Sequence, residues 1–209
     1  MSEKTLKKGG PQRRVLADSS LCGPMVIKPL IIVSEKRIVF NPVNGILPIQ
    51  GENKNCYCPL CGGLLKYRDR RRRICRIEGG KTYHCMVRRL WCRHCNRLHT
   101  ELPQDLSPNK HYVITAIEDV LDGVTSEEDP LTADGPSAQT MYRWRKWFRK
   151  NLGRIHGGIR HAFTETQVTE PPAGFASAAL EKWRNRGSGW LCRALVCVYN
   201  FGNFLVPFY

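Results

Sequence analysis

The chain has 209 residues, ten cysteines and a formal net charge of +15, from 33 Lys and Arg against 18 Asp and Glu. This length accommodates one domain or two small ones and excludes a large catalytic assembly. Hydrophobic residues make up 42% of the chain, which is enough for a buried core. The charge favours a polyanionic partner, nucleic acid before anionic membrane. No signal-peptide pattern opens the sequence, so a cytoplasmic location is expected, where cysteines favour metal binding or free thiols.

The first part of the chain is predicted to be a tail followed by short strands. Residues 1–24 combine lysines and arginines with Gly, Pro and small polar residues, and they predict a basic flexible tail. The β-branched and aromatic residues of 25–33 and 37–40 predict two strands. A third apolar run, 46–49, leads to the first cysteines.

Two Cys-x-x-Cys pairs carry the strongest signal: Cys58 with Cys61, and Cys92 with Cys95. Two residues between cysteines let one turn present both sulfurs to one ion, and four thiolates can surround Zn²⁺ tetrahedrally at about 2.3 Å. The pattern therefore predicts a zinc ribbon with one structural Zn²⁺, because four sulfur ligands leave no position open for substrate. Cys56 is an alternative to Cys58 as a ligand.

The sequence between the pairs predicts a hairpin. Segments 64–67, 74–78 and 82–91 read as strands, and Gly79-Gly80 marks a turn. A three-residue loop, preferred over a two-residue one, places Cys75 opposite Cys85 as buried apolar residues rather than as ligands of a second metal. Gly62 and Asn96 follow the second cysteine of each pair, where a positive φ is expected.

Most of the excess charge lies in this region, because residues 66–97 contain twelve Lys and Arg against two acidic residues. The run from Arg70 through Arg71 and Arg72 to Arg73 is predicted to occupy a loop, where guanidinium groups can contact phosphates. Arg88 and Arg89 belong to the same predicted nucleic-acid-binding set. The alternative is a solvated basic loop.

Two helices are predicted next. The first begins at Ser107-Pro108 and ends at Gly123, and an acidic connection over 124–136 follows. The second opens at Pro136-Ser137, with Met141, Trp144 and Phe148 as its buried stripe. Four side chains off that stripe are predicted to contact DNA in the major groove, namely Gln139, Thr140, Arg143 and Lys146. An ordinary amphipathic surface helix is the alternative.

The run from Cys58 to Pro103, continued by residues 138–145, resembles a family of short bacterial and mobile-element proteins with a four-cysteine zinc ribbon and a helix-turn-helix. It is also similar to the N-terminal DNA-binding part of insertion-sequence transposases. The resemblance implies zinc bound by the four cysteines and double-stranded DNA bound by the second helix. Two features depart from the pattern: Asn96 stands where glycine is usual, and the middle helix of a three-helix unit is missing.

The last third of the chain is predicted to be helical. A helical stripe continues to Phe163, Pro171-Pro172 breaks it, and two further helices follow at 177–186 and 190–201. The segment 190–209 is apolar, but Arg193 and several polar residues interrupt it. Packing against the helical domain, or a homodimer contact, is therefore expected rather than a membrane span.

These features predict an α+β protein with a basic tail at 1–24, a β-rich zinc-ribbon domain at 25–105, a helix-turn-helix-like domain at 106–160 and a C-terminal helical segment at 161–209. No catalytic motif is recognised, so the chain is not expected to be an enzyme. The predicted function is sequence-specific DNA binding in transposition or transcription regulation. The alternative is an RNA-binding or protein-bridging adaptor of a nucleoprotein complex that uses the basic ribbon.

Overall fold

A computed structural model describes residues 30–128, 135–167 and 171–207. In these residues the chain is α+β, as predicted, with strands first and helices after them. The elements are β1 (Leu30–Ser34), β2 (Arg37–Ile38), β3 (Ile46–Leu47), β4 (Ile49–Gln50), β5 (Leu65–Arg76), β6 (Thr82–Cys92), β7 (Arg97–Pro103), α1 (Ile114–Asp122), α2 (Ala138–Gln167), α3 (Phe175–Arg184) and α4 (Trp190–Tyr199). The predicted tail and the first residues of the predicted 25–33 strand lie outside the described ranges.

The central strand of the main sheet is β6. It pairs with β5 in antiparallel fashion along its whole length, from Cys92 opposite Leu65 to Thr82 opposite Arg76. Along its other edge it pairs with β7 and, nearer the hairpin, with β3. β1 extends the sheet by running parallel to β7, and β2 and β4 form a separate pair. One long hairpin, β5–β6, therefore forms the backbone of the sheet.

The arginines Arg70 to Arg73 lie within strand β5, so their predicted position in a loop is wrong. The two predicted strands on either side are one 12-residue strand, with a bulge between Tyr67 and Asp69. Each of the four arginines has a partner in β6, so the hydrogen-bonded ladder outweighs the weak strand preference of a charged run. Because side chains alternate along a strand, Arg70 and Arg72 lie on one face and Arg71 and Arg73 on the other.

The hairpin turn is longer than predicted. Arg76 pairs with Thr82, so residues 77–81 form the turn, and Cys75 lies opposite Tyr83 rather than Cys85. A shift of two residues preserves the face, and Cys75 and Cys85 are both fully buried, as expected. Burial raises the pKa of Cys75 to about 12 and that of Cys85 to about 11, which makes them inert core thiols.

The sheet is covered on opposite faces at its two ends. Near the hairpin, Cys85 and Val87 of β6 pack into a core that includes Leu102, Leu106 and Val113. At the other end, the opposite face buries a smaller cluster of Ile32, Cys58, Leu65, Leu90 and Cys92. Near the hairpin turn, the face of the sheet opposite Cys85 and Val87 is therefore left uncovered. This uncovered face carries Arg70 and Arg72.

Helix α1 begins at Ile114 and not at Ser107-Pro108 as predicted, although it ends at Gly123 in the left-handed conformation as predicted. Residues 107–110 form a turn instead, in which the Lys110 amide donates to the Ser107 carbonyl at 3.4 Å, and Tyr112 and Val113 pair with other parts of the chain. The Val113 amide donates to the Arg76 carbonyl at 3.0 Å, and Leu106 forms an antiparallel bridge with Val113. These contacts attach the start of the helical region to the end of β5 next to the hairpin turn.

Helix α2 has 30 residues and is the central element of the helical core. Its predicted stripe of Met141, Trp144 and Phe148 is buried, and the same helix continues beyond the glycines that were expected to weaken it. Helix α4 packs against α2, with Trp190 and Leu195 fully buried. The apolar C-terminal segment therefore packs within its own chain, and none of the described helices is long and apolar enough to cross a membrane.

Two asparagine side chains attach the ends of the described chain to this core. Asn200 accepts a hydrogen bond from the Val33 amide and donates to the Val33 carbonyl, both at 2.8 Å. Asn151, fully buried, accepts from the Val206 amide at 2.8 Å and donates to the Val206 carbonyl at 3.0 Å. Because each amide satisfies both groups of one residue, β1 and the segment 200–207 are fixed against the helices.

Two adjacent glycines of α2 provide a test of this packing. A methyl group at Gly158 would lie 3.0 Å from the Val198 Cα and 3.3 Å from the Cys197 carbonyl oxygen, whereas nothing lies within 4 Å at Gly157. Gly158→Ala is expected to destabilise the protein by about 1–3 kcal/mol, because backbone atoms cannot move aside easily. Gly157→Ala is expected to stabilise it by about 0.5–1 kcal/mol. Denaturant unfolding measures both, and equal effects at the two positions would contradict the α2–α4 contact.

Candidate metal centre and basic surface

The four predicted cysteines come together at one end of the sheet. Cys58 and Cys61 lie in the turn before β5, and Cys92 and Cys95 lie at the turn between β6 and β7. Their sulfurs all lie within 4.8 Å of one another, and two sulfur pairs, Cys58–Cys95 and Cys61–Cys92, are 3.6 Å apart. A tetrahedral ion with sulfurs at about 2.3 Å requires sulfur separations of about 3.8 Å. The cluster could therefore hold one metal ion.

The two cysteine turns, called here the first and second knuckle, have matching backbone geometry. Gly62 has φ 69° and Asn96 has φ 58°, so the predicted left-handed residues are confirmed in both turns. In the first knuckle the amides of Leu60 and Cys61 donate to the Cys58 sulfur. In the second, the amides of Cys95 and His94 donate to the Cys92 sulfur. Such N–H donors stabilise thiolates, which are the form that binds metal.

The thiols of the cluster differ in how readily they ionise. The Cys95 amide and other donors lower the pKa of Cys92 to about 7. Burial raises the pKa of Cys58, and burial together with the neighbouring thiols raises the pKa of Cys95 to about 12. Several adjacent thiolates repel one another in a half-buried cluster, so a bound cation is the natural source of compensating charge.

Close packing surrounds the cluster. A Cβ at Gly63 would lie 3.2 Å from the Cys92 sulfur and 2.9 Å from the His94 Cβ, so only glycine fits there. His99 is fully buried, with its Nε2 3.4 Å from the Cys58 sulfur, while His94 is exposed. Of the two histidines, His99 is therefore the one that contacts a sulfur of the cluster.

Cys56, the alternative ligand, is not one of the four clustered cysteines. Its sulfur lies 3.6 Å from the Lys54 carbonyl oxygen, and the side chain packs at the edge of the small core. The geometry therefore favours Cys58 in the four-cysteine set.

The uncovered face of β5–β6 near the hairpin turn is basic. It is called here the arginine face and consists of Arg70, Arg72, Arg76 and Arg88. Arg70, Arg72 and Arg76 are exposed, and among the described side chains none forms an ion pair with a carboxylate. Arg72 contacts the His84 Nδ1 at 3.1 Å. Arg70 lies directly opposite Arg88, an arrangement of like charges that destabilises a sheet unless anions are nearby.

Three of the predicted nucleic-acid-binding arginines form ion pairs or hydrogen bonds within the protein. Arg88 contacts the buried carboxylate of Glu101 at 3.2 Å and the Asn53 oxygen at 2.7 Å. Arg89 forms a two-pronged ion pair with Asp69 on the opposite face of the sheet. Arg73 donates to the carbonyls of Ser107 and Lys110 at 2.7 and 2.8 Å. These arginines have structural partners, which distinguishes them from Arg70 and Arg72.

Sequence analysis missed the contacts that position this face. Glu101 is buried and also pairs with Lys36 at 3.3 Å, so one carboxylate holds two cations from distant segments. At the hairpin end, the Arg76 guanidinium lies 5.4 Å from the ring centroid of Tyr112, whose ring contacts Trp144 of α2 edge-on at 5.1 Å. Pairs this far apart in sequence leave no local signal.

The predicted base-contacting residues lie in the first turns of α2. Gln139, Arg143 and Lys146 are exposed, and Thr140 is half-buried with its hydroxyl 3.0 Å from that of Ser137. The helix opens at Ala138 after Pro136-Ser137, as predicted. However, the connection 123–137 between α1 and α2 is far longer than the turn of about 3–4 residues in a helix-turn-helix. The structure thus supports the helix but not a tight helix-turn-helix motif.

Part of the sequence matches a protein family whose function is not defined. Residues 58–144 match the family described as a domain of unknown function, DUF6431. The match begins at the first clustered cysteine and ends at Trp144 in α2, so it covers the cysteine cluster, the arginine face and the start of α2, but less than half of the chain. No curated protein and no solved structure matches the sequence.

The metal centre can be tested by substitution of two neighbouring cysteines. We expect the purified chain to hold one metal ion, and Cys58→Ser to lose it, because serine oxygen is a poor substitute for a soft thiolate. Cys56→Ser should keep the ion. Elemental analysis of the three proteins gives the stoichiometry, and loss of metal from the Cys56 variant alone would assign the ligand set differently.

Proposed function

We propose that this protein is a DNA-binding protein stabilised by one structural Zn²⁺, acting in transposition or in transcription regulation. The observation that carries the proposal is the row of exposed guanidinium groups of Arg70, Arg72 and Arg76 on strand β5, which have no ion-pair partner among the described carboxylates. Such a surface is costly for an isolated protein and is stabilised by a polyanion.

Zinc is the proposed metal because four thiolate sulfurs in tetrahedral reach are its typical structural ligand set. Cys58, Cys61, Cys92 and Cys95 would hold the ion, which supplies fixed geometry and positive charge but no open coordination position. The knuckles clamp one end of β5–β6. Metal binding would thereby fix the strand on which the arginines lie.

The proposed phosphate contacts come from Arg70, Arg72 and Arg76. Alternate residues of a strand are about 6.8 Å apart, so the row from the first to the last spans about 20 Å. This length lets the three guanidinium groups reach different phosphates along one strand of a duplex. Arg88 adds charge at the same face but is anchored by Glu101.

The proposed base contacts come from the start of α2. Tyr112 lies between Arg76 and Trp144, so the end of the arginine face is joined to the second turn of α2 by direct ring contacts. Gln139 and Arg143 are exposed on these turns, and both residue types can read base edges in the major groove. One duplex could therefore contact the sheet and the helix together.

A second candidate function, RNA binding by the sheet alone, is favoured by one observation. Tyr67 is 56% exposed beside the arginine face, with the Arg88 guanidinium 5.7 Å from its ring centroid. Exposed aromatic rings next to arginines can stack unpaired bases. If Arg143→Ala leaves every duplex affinity unchanged while Arg72→Ala and Tyr67→Ala abolish RNA binding, the RNA candidate replaces the DNA one.

The phosphate contacts predict a specific salt dependence. We expect the double variant Arg70→Ala/Arg72→Ala to bind duplex DNA more weakly, and the slope of log affinity against log salt to fall by about 1.8, because each lost phosphate contact contributes about 0.9. Fluorescence anisotropy over a salt series measures this. Arg193→Ala, an exposed arginine on α4, is the control and should leave the slope unchanged. Equal slopes in all three proteins would refute the proposed face.

The base contacts predict a loss of sequence discrimination. On a duplex selected from a random library, Arg143→Ala should reduce the preference for the selected site over a scrambled one by about 1–3 kcal/mol. Arg149→Ala, exposed farther along the same helix, should weaken both duplexes equally. If discrimination survives in the Arg143 variant, α2 does not read the sequence through this residue.

A further inference from the structure

A cavity of about 820 Å³ lies against β5 on the side of Arg71 and Arg73, and its lining also includes Arg72 and Ile74 of the same strand. Its floor is formed by β5 and β6, one wall by β7 and the loop at 109–111, and the other wall by the segment 199–207. Asn151 holds Val206 by two hydrogen bonds, so the outer wall is fixed to the helical core. The volume is within the range of small-molecule sites, about 300–1,000 Å³.

The lining is mostly apolar but carries charge of one sign. Apolar side chains come from three distant parts of the chain, including Val87, Leu102 and Leu205. The basic residues that line it are Arg71, Arg72 and Arg73, together with His111, and no described carboxylate lines it. Burial, then Arg73 and Arg76, lowers the pKa of His111, as expected where the potential is positive.

The arginines of the floor are placed differently from one another. Arg71 lies opposite Val87, on the cavity side of the strand, and its side chain is exposed. Arg73 is committed to two carbonyl oxygens, yet its Nε is buried without a hydrogen-bond partner. An exposed arginine without an ion-pair partner among the described carboxylates therefore lines one largely apolar cavity.

We propose that this cavity binds a small amphipathic anion, with an apolar or aromatic body and one carboxylate, phosphate or sulfonate group. The body would contact Val87, Leu102 and Leu205, and the anionic group would pair with Arg71. Because the cavity is bounded by Pro59 of the first knuckle and by β5, a ligand there contacts elements that also support the metal centre and the arginine face. The site would make the protein responsive to a small molecule.

The alternation of β5 supplies matched variants for the test. Arg70 and Arg71 are adjacent and both exposed, but only Arg71 lines the cavity. The probe is the fluorescent anion anilinonaphthalene sulfonate, titrated into the metal-loaded full chain. We expect saturable binding to the wild type, binding weakened about tenfold or more by Arg71→Ala, and unchanged binding in Arg70→Ala. Equal binding to all three proteins would overturn the site.

The neutral parent of the probe, phenylnaphthylamine, separates the anionic contact from apolar contact. It should bind the wild type at least about tenfold more weakly and bind Arg71→Ala and the wild type equally, because it lacks the group that pairs with the arginine. If the neutral and anionic probes bind the wild type with the same affinity, charge is not recognised and the proposal fails. Circular dichroism and metal content confirm that each variant is folded.

The same variants keep this inference separate from the proposed function. Added duplex DNA should leave the probe bound to the wild type, since Arg71, its proposed anion partner, lies on the opposite face of β5 from Arg70 and Arg72. Displacement of the probe by DNA would show that the cavity belongs to the nucleic-acid interface and would overturn the small-molecule site. If DNA binding is absent altogether, the proposed function fails, while the comparison of Arg70→Ala with Arg71→Ala still decides the cavity.

Discussion

The convergence of four cysteine sulfurs at one end of the β5–β6 hairpin is the interaction on which the rest of the structure depends. The apolar cluster around it is small, since among the described residues its buried members are Ile32, Leu65 and Leu90 besides cysteines. Such a cluster cannot by itself hold two turns and three strands in one arrangement. A metal ion joined to all four sulfurs would fix β5, β6 and β7 at once. The opposite end of the hairpin is held by other means, through Arg73 and the backbone pairing of Arg76 with the segment before α1.

With both ends of the hairpin fixed, its middle presents different surfaces on its two sides. The alternation of side chains along β5 separates a run of four identical residues into two pairs with different roles. Arg70 and Arg72 face outward on the arginine face, whereas Arg71 and Arg73 face the cavity and the loop before α1. In a solvated loop, these four side chains would not be divided between two fixed faces. In the two proposals, one charged segment would therefore contact a polyanion on one side of the strand and a small anion on the other.

The features that sequence could predict are those with local causes. The spacing within each Cys-x-x-Cys pair, the positive φ of Gly62 and Asn96, the end of α1 at Gly123 and the buried stripe of α2 all depend on residues close in sequence. The features that were mispredicted depend on distant partners. The arginine run became a strand because β6 pairs with all of it. Ser107-Pro108 did not begin a helix because residues 107–110 form a turn and the following Tyr112 and Val113 pair elsewhere. The cavity joins β5 to the end of the chain, which no sequence window contains.

The central claim is that the arginine face contacts DNA while its neighbours on the other side of β5 do not. Modification of arginines by phenylglyoxal, with and without duplex DNA and mapped by peptide mass spectrometry, tests this directly. DNA is expected to protect Arg70, Arg72 and Arg76, whereas Arg193 on α4 is expected to react equally in both conditions. Equal modification of Arg70, Arg72 and Arg76 with and without bound DNA would contradict it.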